Sequence, residues 1–318
     1  SPKVTQQFHE GENVSGSKKT KTNRLSSGVG KALDGLKKFA SGDNSDRVQI
    51  GISRIDWSIR GGMMDGALYL VGAATGGGKT TLLQGTSVLC ARTRGPVLFA
   101  SPEMSTHELS EREIIRIAGV SMNGRGPWVQ FTEEQENEAL HIRAACEIEK
   151  ENLEVHCVDG PSTMADISAI ARTIEGLRLI IIDYAQEVAD MDPRVARYLA
   201  VGAVGSDAIK IGKELGCPVM VASQVNKSDK GVYKFRESGD LENRSHVAMI
   251  IESKKSETPN ENGYFNIEST RIFSPKNRSG PMFSVPVNYE PALYRIGNYD
   301  QEVKPWAPKE RNNYGWEY

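Results

Sequence analysis

The sequence has no apolar run near the ~18 residues that a membrane-spanning helix requires, and Ser1 opens no signal-peptide pattern. Its four cysteines, Cys90, Cys146, Cys157 and Cys217, stand too far apart for a metal knuckle or a redox pair. They read as unpaired thiols of a reducing compartment. An excess of one charge is also missing: 39 Lys and Arg face 41 Asp and Glu, for a formal net charge of -2. That excludes a uniformly basic nucleic-acid coat and a supercharged acidic chain, and it leaves room for a local basic surface. Aromatics are few at 7%, while apolar residues at 38% suffice for a buried core. Glycine is the abundant residue, 31 in all and clustered, which points to backbone-lined sites rather than to disorder. The chain does not begin with Met, so a processed product or a piece of a longer chain is expected.

Residues 1–27 are rich in Ser, Gly, Lys and Asn and read as a flexible arm. Residues 28–50 read as a linker with a short docking helix, Val29, Leu33, Leu36 and Phe39 falling on one side of GVGKALDGLKKFA. That helix is too short to stand alone in water. Residues 51–300 form one domain and 301–318 a polar tail. Within the domain, short apolar strands are expected at 67–73, 96–101, 153–158, 177–183 and 218–223. Helices alternate with them at 79–92, 106–118 and 199–215. An acidic helix is expected over 132–154, started by a capping box of Thr132 and Gln135. Ser162 or Thr163 caps the next helix, with Asp166 in its first turn. Extended segments at 247–253, 264–274 and 282–288 follow, with a turn at Asn277–Gly280. The alternation predicts an α/β domain with a mainly parallel sheet and a strand-rich, antiparallel C-terminal extension.

The strongest local signal is GAATGGGKTT, Gly72 to Thr81, set between an apolar strand and a helix. Gly76, Gly77 and Gly78 allow a tight loop whose amides, with the helix start, attract phosphate. Lys79 supplies a charge for the β- and γ-phosphates, and Thr80, followed by Thr81, offers a hydroxyl to Mg²⁺. Ala73 stands where the usual pattern has its first glycine. Asp183 closes the run LIII, and a carboxylate at the end of a buried strand sits beside such a loop. Glu103, in SPEMS after the second strand, is placed to deprotonate water. Gln224 closes the fifth strand and is a candidate sensor of the γ-phosphate. Lys227, Lys230, Lys234 and Arg236 form a basic cluster broken only by Asp229. Arg194 and Arg197, before the long helix, form a weaker one. Such clusters can track single-stranded nucleic acid through its phosphates.

Taken in order, these motifs resemble the RecA-like C-terminal motor domain of replicative hexameric DNA helicases of the bacterial DnaB type. SPEMS at 101–105, IIIDYAQ at 180–186, SQVNK at 223–227, RESGDLE at 236–242 and KNRSGP at 276–281 carry the resemblance, which runs from about Gly51 to Asn288. A small residue in place of the first loop glycine is part of the family pattern, so Ala73 fits it. The resemblance implies an ATP hydrolase using Mg²⁺, with Glu103 as catalytic glutamate, Asp183 as the metal-associated aspartate and Gln224 in the glutamine role. It implies that Lys276 and Arg278 reach a neighbouring subunit's nucleotide. It further implies a homo-oligomer, a hexamer, on single-stranded DNA, with a primase or helicase loader as partner and no membrane. The compartment would be the cytoplasm or another reducing, DNA-containing space, the host cytoplasm if the chain is viral. The family's separate N-terminal helical domain has no match in this sequence. A RecA-like ATP-binding ring, or a recombinase-like ATPase without processive unwinding, is the alternative that the nucleotide core alone leaves open.

Overall fold

The computed structural model describes residues 25–121, 131–160, 162–188, 197–227, 233–235, 239–258 and 266–299. The chain divides into two units, residues 1–42 and 43–318. The smaller carries α1 (Val29–Ala40), whose last turn holds Lys37 and Lys38, the sign of charge that a helix C-terminus favours.

The larger unit is a ten-stranded sheet between helices. After α2 (Ser53–Ser58), the chain runs β1 (Leu68–Ala73), α3 (Lys79–Thr93), β2 (Val97–Ser101), α4 (Thr106–Ala118), α5 (Phe131–Glu151) and β3 (Val155–Asp159). It continues through α6 (Met164–Ala171), β4 (Leu179–Ile182), α7 (Ala185–Val188), α8 (Arg197–Leu215), β5 (Val219–Lys227), β6 (Tyr233–Phe235) and α9 (Gly239–Arg244). Strands β7 (Val247–Lys255), β8 (Ile267–Asn277), β9 (Ser284–Glu290) and β10 (Arg295–Asn298) complete it. The spatial order is β10-β9-β8-β7-β1-β5-β4-β2-β3, with β6 paired to β5 alone. From β3 to β7 every pairing along this order is parallel; β8, β9 and β10 add on antiparallel.

Alternation along each central strand explains the two-sided core. Tyr69, Val71 and Ala73 of β1 join Leu83, Phe99, Ile181 and Met220 on one face. Leu68 and Leu70 join Leu98, Ile180, Val221 and Ile250 on the other, against Val201, Val204 and Ala208 of α8. Both faces are covered, so β4 reads as the unbroken apolar run LIII. Helix starts are set by side chains. Thr163 caps α6, its Oγ1 accepting from the Asp166 amide while Asp166 Oδ2 accepts from the Thr163 amide. Ser105 and Glu108 do the same for α4. Cys90 and Cys217 are free and buried, and burial pushes both thiols up to about 12.

Two expectations are corrected. Thr132 lies inside α5, which already includes Phe131, so it cannot be that helix's cap. And β7, expected within the antiparallel extension, pairs parallel with β1 over Tyr69–Ala73 and belongs to the central sheet. No described helix is long and apolar enough to cross a membrane.

Candidate active site

The loop joining β1 to α3 is shaped by its glycines. Gly76 and Gly78 hold φ of 70° and 90°, and a β-carbon on Gly77 would fall 2.8 Å from the Ala74 carbonyl oxygen. A side chain is therefore strained at Gly76 and Gly78 and blocked at Gly77, and Gly78 precedes α3, whose first amides can face an anion. Lys79 Nζ lies back across the loop, 3.3 Å from the Ala73 carbonyl oxygen. Burial lowers its pKa, while the carboxylates of Asp183 and Glu103 pull the other way. The ammonium thus sits half-desolvated beside two acids.

Asp183 follows β4 directly, its amide donating to the Ala100 carbonyl at 2.8 Å, which ties the exit of β4 to β2. Its side chain is buried and accepts a 2.6 Å hydrogen bond from Thr80 Oγ1. Burial raises its pKa, against the Thr80 hydroxyl and the Lys79 charge. Glu103 lies just beyond β2, and Gln224 stands opposite Ala73 in the β1–β5 register. Lys79, Thr80, Glu103, Asp183 and Gln224 are thus collected at the C-terminal ends of β1, β2, β4 and β5. Thr81, one residue on, is buried.

The donor set suits one class of metal. Among the described residues no three His, Cys, Asp or Glu converge, which excludes a zinc-type cage there. A buried carboxylate in contact with a hydroxyl fits Mg²⁺, a cation that takes few protein oxygens and completes its shell with phosphate and water.

Two tyrosines also reach this site. The Tyr289 ring of β9 covers the loop: a β-carbon on Gly78 would lie 3.0 Å from its Cζ, and its hydroxyl bonds Thr81. The Tyr184 hydroxyl donates to Glu187 Oε1 at 3.1 Å and also bonds Glu103. Burial and these two acids hold the phenol well above its usual range.

Lys276 and Arg278 are not part of this group. Lys276 Nζ donates to the carbonyls of Glu242 and Asn243 at 2.7 and 2.6 Å, and Arg278 Nη2 to that of Asn243 at 3.0 Å. In register, Asn277 faces Val247, Val247 faces Tyr69, and Ala73 faces Ile251. Four strand residues, about 13 Å, separate the two levels. Arg278 therefore lies at the opposite end of the sheet from its own phosphate loop.

The basic segment is an extension of β5. Val225, Asn226 and Lys227 pair with Phe235, Lys234 and Tyr233 of β6, leaving Lys234 exposed. Its base is packed on β1: a β-carbon on Gly72 would fall 2.5 Å from Val225 Cγ1 and 2.6 Å from Phe235 Cε1. Lys230, Arg236 and Arg194 lie outside the described residues; Lys227 ends β5 and Arg197 opens α8, with side chains outside the description.

Comparison with known proteins identifies the family and the fold. The family profile described as the DnaB-like helicase C-terminal domain matches residues 48–298. The replicative DNA helicase DnaB of Treponema pallidum (strain Nichols) is 28% identical over 268 residues, 80% of this chain and 57% of its own length. That of Mycoplasma pneumoniae is 24% identical over 267 residues, 76% of this chain and 55% of its own length. The chain thus spans little more than half of these relatives. Among solved structures, one described as an ATPase domain superposes with a TM-score of 0.71 at 19% identity, covering 87% of this chain and 99% of that one. A DnaB-like replicative helicase described with its interactions with primase gives 0.72 at 19% identity, covering 87% and 67%. At such identities the structures establish the fold, a RecA-like α/β core.

Proposed function

Because the chain belongs to the family of the DnaB-like helicase C-terminal domain, we propose that it is an ATP-hydrolysing motor working between subunits of a ring on single-stranded DNA. The observation that carries this reading is the meeting of Lys79, Thr80 and Asp183 beside Glu103, with Thr80 and Asp183 at 2.6 Å.

ATP is the substrate. The loop amides and Lys79 hold its β- and γ-phosphates. Thr80 and Asp183 would hold Mg²⁺, which when bound neutralises charge on the phosphate oxygens. Glu103 orients a water and takes its proton as the water oxygen bonds the γ-phosphorus and the bridging oxygen leaves with ADP. Gln224, inside β5 where that strand passes the end of β1, contacts the γ-phosphate and passes its loss to the β5–β6 hairpin. Charge on the transferring group is met by Lys276 and Arg278 of the next subunit. Their place at the far end of the sheet supports this, since they stand away from their own loop. The assembly is a homo-hexamer, with Lys227, Lys230, Lys234 and Arg236 toward the DNA and Arg194 and Arg197 as a second contact. The named relatives are replicative helicases and one solved neighbour is described with primase. A primase or loader is the partner this reading assigns to the chain, in a DNA-containing compartment.

The test is complementation. Lys79→Ala and Arg278→Ala each bind into rings but turn over little ATP. Mixed rings, confirmed by native mass measurement, exceed the sum of the two parents, because each variant still offers the half that the other lacks. Full activity of Arg278→Ala alone would falsify the role in trans.

A further inference from the structure

The turn after α2 has an arginine where glycine is expected. Ile59 caps the helix, and Arg60 follows at φ 62°, then Gly61 at 91° and Gly62 at 131°. The first residue past a helix end is where glycine most often takes the left-handed conformation, because a β-carbon there is strained. Gly61 and Gly62 cannot be replaced: a β-carbon on Gly61 would run into the Asn44 amide, and one on Gly62 would lie 2.7 Å from the Val48 carbonyl oxygen. At position 60 the chain keeps a long cationic side chain instead, exposed. Its guanidinium makes no hydrogen bond or ion pair among the described residues. Strain held without a packing return points to function.

What surrounds Arg60 says which function. The Asn277 amide donates to the Ser58 carbonyl at 3.1 Å and to that of Pro281 at 2.8 Å, clamping the end of α2 to the β8–β9 turn. Arg278 lies in that turn, its amide donating to the His246 carbonyl at 2.9 Å, and His246 Nε2 meets Ser279 Oγ at 3.0 Å. Arg47 flanks Gly62, whose β-carbon would touch its Cβ at 3.1 Å. The His246 imidazole is held below its usual range by burial and then by Arg278, Arg47, Lys276 and Arg60. Four cations therefore crowd one patch. Asp46 offsets Arg47 at 3.8 Å, and Glu242 draws on Lys276. Arg60 and Arg278 remain exposed on this patch, and like charges gathered there favour an incoming polyanion.

We propose that Arg60 is a third cation, with Lys276 and Arg278, that meets the nucleotide phosphates of a neighbouring copy. This rests on the reading of Arg278 as acting in trans. A nucleotide fits better than a DNA strand because the basic hairpin lies past the other end of the sheet, beyond Gln224 and Ala73.

Glycine at position 60 separates function from packing. In the assembled protein, Arg60→Gly raises the denaturation midpoint, since glycine accepts the left-handed angle. Its own loop still binds an ATP analogue with unchanged affinity when a wild-type copy stands beside it. Turnover falls about tenfold or more, the lower end of losing a charge-assisted contact, and Arg60→Lys recovers part of it. Wild-type turnover in Arg60→Gly overturns the proposal. So does a joint fall in stability and turnover, which marks a packing role. So does intact turnover with weakened single-stranded DNA binding, which moves the patch to nucleic acid. If Arg278→Ala is fully active, the trans reading itself fails. If Arg278→Ala is inactive and Arg60→Gly is not, only Arg60 is removed.

Discussion

Replacing Gly72 with alanine asks how tightly the phosphate-loop strand is joined to the basic hairpin. The new methyl would sit 2.5 Å from Val225 Cγ1, 2.6 Å from Phe235 Cε1 and 3.1 Å from Phe235 Cζ. Carbon pairs prefer about 3.5–4.0 Å, so two contacts overlap by about 1 Å. Neither side can yield cheaply. Strand β1 is held by parallel partners on both edges, and Val225 and Phe235 are each 6% exposed. Overpacking of this kind costs about 2 kcal/mol, within the usual 1–3 kcal/mol. Phe235→Ala alone should cost about 3 kcal/mol through its cavity. In that background the Phe235 overlaps are gone while the 2.5 Å contact with Val225 stays, so the further cost should fall to about 1 kcal/mol. Denaturant unfolding of the four proteins gives the cycle. A Gly72→Ala penalty that is absent, or equal in both backgrounds, would refute the reasoning.

Three further outcomes are expected. Asp56 is buried, accepts the amides of Ile50 and Gly51, and has its pKa raised by burial to about 7 from 3.8. The folded state therefore binds the proton more tightly, so Asp56 costs the fold nothing below pH ~4 and up to about 4 kcal/mol above pH ~7. The gap between wild type and Asp56→Asn should shift in the mutant's favour across that window; an identical gap at pH 5 and pH 8 would contradict it. Glu103→Gln should bind ATP normally and lose most turnover, by at least about a hundredfold. A fully active variant removes Glu103 as the base. Lys234→Ala should weaken single-stranded DNA binding and lower the salt slope by about 0.7; an unchanged slope moves the strand elsewhere.

Much of this fold is legible in local pattern. LIII and the other short apolar runs announce strands covered on both faces, and GGGKTT marks where one of them turns into a helix. The strand-end positions of Glu103 and Asp183 follow from the same runs. What the pattern hides is decided at a distance. AMII in β7 suits parallel and antiparallel pairing alike, and its contact with β1 settles which. Thr132 has a cap's chemistry, but a cap exists only where the chain enters the helix, and Phe131 is already inside. Tyr289 meets Gly78 from far along the chain, a contact no spacing rule reports. Arg60 is masked by Gly61 and Gly62, which look sufficient to make the turn by themselves.

The separation of Arg278 from its own phosphate loop along the sheet makes the molecule directional. Under the reading proposed above, each copy has a head that gives cations and a tail that takes them, so copies join head to tail rather than face to face. An open row of such copies always wastes one head and one tail, and one subunit's ATP goes unserved. Closing the row into a circle recovers that lost site without forming any new kind of contact. Per-subunit turnover would therefore rise with the length of an open row and make its last gain at closure. A subunit lacking a head would silence only the neighbour it faces.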